Sequence, residues 1–497
     1  MSAVTCSEMR ATEAAAMAAE WSEEQLLDLA GRRLGHSLAR FFPQPGTAIG
    51  YLGKGHNAGD ALVALRILRD CYGWEIAVRP AFPADHCAPL TSRKWFELKP
   101  TEMATLPPWR DLKGPLLLLD GLLGIGAQGP LREPLATLAA EMEWLRQNAA
   151  ARVAAVDLPS GVDADSGECP PGAVTADATF MIGNPKRGLL ASVAVNAVGS
   201  LALVPMEMLA LSKPGEIELI CPQEMDFGKS PRPYDFHKGR AGRVAVIAGS
   251  GQYPGAAVLA ATGAMRGGAG LITLHVPEHA AASITAKCPP EIIVRSYPSF
   301  RGLGEVDCDA MVVGCGIGEL DTNAAADFLG WLGKQPMPAV IDADALNVIA
   351  KSGSHAIFQS HHVLTPHPGE FRRLAPDLAD LPREQAARAF AGRYPSTLLL
   401  KGGRSLISRA GQPLWCNATG SPGMATGGQG DLLSGVIGAR LAAGLPPSQA
   451  AAQAAWLCGR AAEIALEIPG ISTESLTPGG CARHLGAAFH DWQSARR

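Results

Sequence analysis

The chain has 497 residues, of which 47% are hydrophobic and 18% charged. That composition excludes both a single small module and a disordered chain, and it leaves material for more than one domain. Lys plus Arg (43) against Asp plus Glu (47) gives a formal charge of −4, which excludes a global basic field for nucleic acid or an anionic membrane, so any nucleotide has to sit in a local pocket.

The N-terminus carries Glu8, Glu13, Glu20, Glu23 and Glu24 where a secretory signal needs a basic and then an apolar stretch. No apolar run approaches the ~18 residues of a membrane span. The eleven cysteines contain no C-x-x-C pair and read as reduced thiols, so a cytoplasmic protein is expected. Residues up to Phe42, rich in Ala and Leu, read as two helices packed on a first sheet. Strands are predicted at 48–52, 75–79, 116–120 and 153–157, each nearly all apolar, as strands covered on both faces should be. A linker is expected at 221–237, with three prolines and no periodicity. Beyond it, strands are predicted at 243–248, 271–276, 310–314, 339–342, 363–364 and 397–401. Strands alternating with helical patterns imply parallel α/β layers, here in two domains, 1–224 and 225–497.

The segment G-K-G-H-N-A-G-D (53–60) follows a predicted strand and opens a helix marked by Leu62, Leu65 and Leu68. Strand, glycine turn and helix N-terminus form an anion cradle; the alternative is a plain turn with Asp60 as helix cap. Asp120 and Asp157 end two further strands, and in a doubly wound sheet such ends converge on one crevice, where carboxylates serve as acid/base, cation ligands or caps.

In the second half, S-P-G-M-A-T-G-G-Q-G-D (421–431) runs into a helix through Leu432, Leu433, Val436 and Ile437. The glycines leave amides free for phosphates, and an Asp at the same helix terminus suits phosphoryl chemistry better than capping. T-P-H-P-G-E (365–370) reads as a loop that Pro366 and Pro368 keep from being helical. His367 and Glu370 there do not form a zinc motif; they face a ligand, or His367 is a satisfied buried histidine.

The motifs H-N-A-G-D (56–60), D-G-L-L-G-I-G (120–126) and D-L-P-S-G-V-D-A-D-S-G (157–167) make the first half resemble the NAD(P)H-hydrate epimerase domain, a Rossmann-like fold. The resemblance implies potassium held by Asn57, Asp120 and Ser160, and Asp157 as the acid/base. It implies a hydrated dinucleotide at His56, Asn57, Ala58, Gly59 and Asp60, at Gly124, Ile125, Gly126, Ala127, Gln128, Gly129 and Pro130, and at Asp157. His56, Ala58 and Ile125 depart from the family's pattern of Asn, Gly and Thr, and the Cβ of Ala58 is costly if the backbone there has positive φ.

From about residue 236 onward, K-G-R-A-G (238–242), G-S-G-Q-Y-P-G-A-A (249–257), G-C-G-I-G (314–318), D-A-D-A-L-N (342–347) and K-G-G-R-S (401–405) resemble the ADP/ATP-dependent NAD(P)H-hydrate dehydratases, which are ribokinase-like. This implies the hydrated dinucleotide at Ala256, Gly318, His367 and Asp431, with Asp431 catalytic. It implies the adenine nucleotide, ADP or ATP with Mg²⁺, at Lys401, Gly402, Gly403, Arg404, Ser405 and Gly430. Gln429 replaces the family's usual Thr. The expected whole is two three-layer αβα domains in a bifunctional repair enzyme for hydrated NADH and NADPH, binding no nucleic acid and no membrane, and a homo-oligomer. The rival reading is a ribokinase-like small-molecule kinase fused to a dinucleotide-binding sensor domain.

Overall fold

The computed structural model describes residues 1–105, 108–127, 129–211 and 214–495, so Gln128 lies outside the described residues. The chain divides into two compact units, Met1–Leu219 and Ile220–Arg497.

The first unit is built on strands β1 (Thr47–Leu52), β2 (Glu75–Pro80), β3 (Thr101–Glu102), β4 (Leu116–Gly121), β5 (Arg152–Val156), β6 (Ala178–Ile182) and β7 (Ser200–Val204). All pair in parallel in the order β3-β2-β1-β4-β5-β6-β7. Every residue of β1 and β4 is buried, because helices cover both sheet faces. The chain reverses direction of assembly between β1 and β4, so the crevice beyond their carboxyl ends is the place for a ligand. Register aligns Tyr51 with Asp120 and Leu52 with Gly121, which sets the loops after β1 and β4 side by side. A Cβ on Gly53 would lie 1.8 Å from the Leu122 carbonyl, so only glycine permits that approach. The two expected N-terminal helices form at Cys6–Ala18 and Glu23–Phe41, each opened by a capping box, from Thr5 with Glu8 and from Ser22 with Gln25. A short β8 (Ile217–Leu219) ends the unit, with backbone hydrogen bonds to Ala3 and Met1.

The second unit has β9 (Arg243–Ile247), β10 (Leu271–Pro277), β11 (Ile293–Tyr297), β12 (Ala310–Val313), β13 (Ala339–Ile341), β14 (His362–Leu364), β15 (Thr397–Leu400), β16 (Ser405–Ser408) and β17 (Leu414–Asn417). They run in the order β11-β10-β9-β12-β13-β14-β15-β16-β17, parallel up to β15 and antiparallel beyond it. The first part of the segment expected to be a linker packs into this unit. Met225 is in its core, and the Phe227 ring lies 5.6 Å from that of Trp492 and 6.1 Å from that of Trp415. Residues 230–235, with Pro231 and Pro233, are exposed and without regular structure.

Candidate active sites

In the first unit the strand ends converge as the sheet topology requires. Asp120, at the end of β4, is wholly buried. Its carboxylate accepts from the Ser160 amide (2.7 Å), the Ser160 hydroxyl (2.6 Å) and the Leu122 amide (3.2 Å). The Ser160 hydroxyl in turn accepts from the Leu123 amide (2.9 Å), and Asn57 Nδ2 donates to the Leu123 carbonyl (2.8 Å). Asn57, Asp120 and Ser160 are thus tied together through the backbone of Leu123. Burial pushes the Asp120 carboxyl up to about 6, against the hydrogen bonds from Ser160 and Leu122 that pull it down. A buried carboxylate with oxygen donors around it and, among the described residues, no cationic side chain bonded to it is a donor set that fits a hard monovalent cation.

The 53–60 segment is less of a loop than its glycines suggest. The helix starts at His56, runs to Tyr72 and is preceded by Gly55 with no side-chain cap; the Ala58 amide donates to the Gly55 carbonyl at 3.1 Å, which leaves the amides of His56 and Asn57 for an anion. Asp60 lies inside this helix and is not its cap. Ala58 has ordinary helical backbone, outside the residues with positive φ, and its side chain is buried. The anticipated strain is therefore absent, because the departure from glycine falls in a helical turn. Ala58→Gly is expected to destabilise the protein by ~1 kcal/mol through added backbone freedom, read as a lower melting temperature. Half-buried Gly124, Ile125 and Ala127 and exposed Gly126, Gly129 and Pro130 form the loop after β4. Across a small cleft, Leu123, Gly124 and Ala127 face Leu158, Gly161 and Asp163. Exposed His56 places Nδ1 3.3 Å from Glu23 Oε1, and Gly59 packs under Leu27.

Asp157 follows β5 with φ of +69°, a left-handed conformation that is rare for a residue with a side chain. Its Oδ1 accepts from the Ile182 amide (2.9 Å) and from the ammonium of Lys186. Lys186 is fully buried and also donates to the Ile182 carbonyl at 2.7 Å. Sequence reasoning missed this partner because β6, which delivers Ile182 and Lys186, was not among the predicted strands.

In the second unit the loops after β9, β12, β13, β14 and β15 meet the N-terminus of the helix Gln429–Ala442. Buried Asp342 accepts from Lys401 Nζ (2.8 Å) and from the Ser434 hydroxyl (2.7 Å). Lys401 also stands 3.7 Å from Glu370, and Cys315 Sγ lies 4.0 Å from Asp342 Oδ2. Asp431 joins this group from the first turn of the helix. Burial and the Asp342 carboxylate push its carboxyl up to about 7, against the Cys315 thiol and the Lys401 ammonium, which pull it down. Gly428, at φ +93°, precedes the helix without a side-chain cap, which leaves amides free for phosphate. A Cβ on Gly430 would stand 3.3 Å from Lys401 Nζ, so the glycine keeps this helix end against the ion pair. Gly316, at φ +66°, lets its loop close on half-buried Ala256, where a Cβ would sit 2.7 Å from that of Ala256. The Gly318 amide donates to Asp344 Oδ2 at 2.9 Å, and Ala343 between the two acids has φ +50° and ψ −120°.

A helix does form through the 365–370 motif, from Pro368 to Leu374. Proline at the first helical position loses no hydrogen bond, so Pro368 starts the helix it was expected to forbid. His367 is its exposed cap, accepting from the Gly369 amide at 3.0 Å, while Glu370 accepts from the His367 amide at 2.8 Å. Gly402 and Gly403 are exposed in the turn between β15 and β16, and Arg404 is buried. Arg383 braces that turn through the carbonyls of Leu400, Lys401 and Arg404 at 3.0–3.2 Å. Ser405 opens β16, so Lys401 turns toward the acids while Gly402 to Ser405 lie on the turn side. Among the described residues, no group of three or more His, Cys, Asp or Glu is arranged to hold a metal, and no helix is long and apolar enough to cross a membrane.

Comparison with known proteins sets these sites in context. The family model described as NAD(P)H-hydrate dehydratase matches residues 244–478, and that of the YjeF-related protein N-terminus matches residues 23–188. The bifunctional NAD(P)H-hydrate repair enzyme of Gloeobacter violaceus is 36% identical over 93% of this chain and 92% of its own. The enzyme of the same name from Coxiella burnetii is 32% identical over 93% of this chain and 94% of its own. A crystal structure of ADP/ATP-dependent NAD(P)H-hydrate dehydratase from Bacillus subtilis, co-crystallized with ATP and Mg²⁺, is 26% identical with a TM-score of 0.45, covering 53% of this chain and 94% of that one.

Proposed function

The chain belongs to the family of bifunctional NAD(P)H-hydrate repair enzymes, and on that footing we propose a division of labour between its two units. The first interconverts the R and S hydrates of NADH and NADPH. The second dehydrates the S hydrate at the expense of ADP or ATP and so restores the reduced cofactor. The observation that carries this reading is Asp431, desolvated at an uncapped helix N-terminus beside the Asp342–Lys401 pair.

Hydroxide is a poor leaving group and phosphate a good one. Asp431 accepts the proton of the ring hydroxyl as the hydroxyl oxygen attacks the terminal phosphorus of the nucleotide, whose bond to the bridging oxygen breaks with AMP (from ADP) or ADP (from ATP) as the leaving group. The ring nitrogen's lone pair then expels phosphate from the hydroxyl-bearing carbon, and the neighbouring carbon loses a proton, which completes the dehydration. The free amides at Gly428 to Gly430 hold the phosphates, and the exposed 402–405 turn takes the adenosine side. Asp342 spends its oxygens on Lys401 and Ser434, so Mg²⁺ would ride on the phosphates and water rather than in a protein cage.

In the first unit the amides of His56 and Asn57 at the helix N-terminus and the 124–130 loop take the dinucleotide's phosphates, and Asp157 moves the proton. Asn57, Asp120 and Ser160 would hold potassium, which when bound neutralises the buried Asp120 and fixes the three loops. Exchange of epimers without ADP is expected to be faster in potassium than in a bulky organic cation; equal rates in the two salts would remove the site. The eleven cysteines are free thiols, which supports a cytoplasmic setting.

The decisive experiment mixes the purified chain with hydrated NADH and ADP and follows both dihydronicotinamide absorbance and released phosphate. Recovery of absorbance with stoichiometric phosphate supports the reading. A stable phosphorylated product without recovered absorbance would support the rival kinase.

A further inference from the structure

Next to the Asp157–Lys186 pair the first unit has an open pocket of about 140 Å³. Its walls are largely apolar, with Met9, Leu26, Leu27 and Met206 among them, and Ile182 at its edge is the residue whose amide holds Asp157. Four ionisable side chains also line it: Glu13 from the helix Cys6–Ala18, Glu23, His56 and Asp60. His56 and Glu23 pair with each other. Glu13 and Asp60 engage in no side-chain hydrogen bond or ion pair among the described residues. A half-buried carboxyl with no partner, in an apolar cavity beside an ion-paired Asp, is an expensive arrangement unless a ligand uses it.

Epimerisation at one carbon sets the demand. When the hydroxyl leaves from one face of the ring and water arrives on the other, proton transfer is needed on both faces. Asp157 follows a strand of the sheet and is held by the amide of Ile182, while Glu13 comes from an N-terminal helix and lines the same pocket as Ile182.

We propose that Glu13 is a second catalytic acid/base of the first unit, serving the ring face opposite Asp157; this rests on reading that unit as the epimerase. The Glu13 carboxyl gives its proton to the ring hydroxyl. The C–O bond breaks with its electron pair going to oxygen, and water leaves. The ring nitrogen's lone pair carries the carbon as a cationic C=N, faced by the new Glu13 carboxylate. A water then bonds to the other face and passes its proton to Asp157. The reverse epimerisation runs the same steps backward, and proton exchange with solvent resets the pair.

The surroundings keep Glu13 ready to donate. Burial raises its proton affinity and the Asp157 carboxylate raises it further, while Lys186, His56 and Arg10 oppose. Asp60, itself pushed up by burial and by Asp157 and Glu13, and the paired Glu23 complete the charged groups facing the cavity. An acid required in its protonated form gives a rate that falls as pH rises through its raised value.

The test uses the full chain without nucleotide, so that the second unit does not consume substrate, and follows conversion of R-enriched hydrated NADPH by chromatography across pH. Glu13→Gln is expected to lower kcat ~10²–10⁴-fold, to leave KM within a few-fold, and to abolish the alkaline fall in rate. Glu13→Asp should recover part of kcat together with that limb. Dehydration of the S hydrate with ADP, measured on the same preparations, reports whether the variants are folded. Exchange by Glu13→Gln within three-fold of the unaltered chain would overturn the role of Glu13 alone, as would a slowed variant with its alkaline limb intact. No exchange above the spontaneous rate by the unaltered chain would overturn the epimerase reading itself, and this proposal with it.

Discussion

Asp431→Asn is expected to lower the dehydration rate ~10²–10⁴-fold, the usual loss for a general base, while nucleotide binding stays measurable. Asparagine preserves size and one hydrogen-bond acceptor, and it removes only the capacity to take a proton. The pH dependence supplies a second check. A base has to be ionised, and burial with the Asp342 carboxylate holds Asp431 at about 7. Dehydration by the unaltered chain should therefore climb as pH rises through about 7 and level off above it, and the variant's residual rate should lose that rise. Stopped-time assays with hydrated NADH and ADP measure both. Near-normal turnover by the variant would exclude Asp431 as the base.

Lys186→Met is expected to cost ~3–5 kcal/mol of stability in the first unit, the range for removing one partner of a buried ion pair. The lysine side chain is fully buried, and its ammonium bridges Asp157 and the Ile182 carbonyl. Its loss leaves a nearly buried carboxylate without its counter-ion, held only by the Ile182 amide. Adding Asp157→Asn to it should restore part of the stability, because a neutral amide needs no counter-ion, and neither variant should exchange epimers. Differential scanning calorimetry, with dehydration by the second unit as the control, measures the effect. A melting profile unchanged by Lys186→Met would show that the pair contributes nothing to the fold.

The parallel strands that bear the motifs were readable because burial on both faces makes them short, continuous apolar runs ending at an acid or glycine. Asp120, Asp157 and Asp342 could each be placed at a strand end on that ground. The strand Ala178–Ile182 is equally apolar and was overlooked, since residues 168–177 before it carry no helical pattern to set it off. Its signal was the G-N-P-K that follows, a glycine-proline strand end like those after Asp120 and Asp157, with one lysine in an apolar neighbourhood. Glu13 was legible only as part of an acidic N-terminus, because a pocket between a helix and a distant strand has no local pattern. The turn at 401–405 follows a strand end legible as an apolar run, but the direction of Lys401 depends on Asp342 and Glu370, which arrive from two other strands. Pro368 shows the limit of a residue rule applied without its position, since proline ends helices from within and begins them at the first turn.

Ala343, with its φ of +50° and ψ of −120°, occupies backbone territory where essentially only glycine is at ease, at a cost on the order of 1–3 kcal/mol. That cost is an untapped reserve of heat resistance. A glycine there would relax the peptide and raise the melting point of the second unit, and it would also loosen the hinge between two acids, one clamped by Lys401 and Ser434 and the other by the Gly318 amide. Selection for a hotter environment would meet the demands of turnover at this alanine, with durability gained by the substitution and alignment of the acids lost.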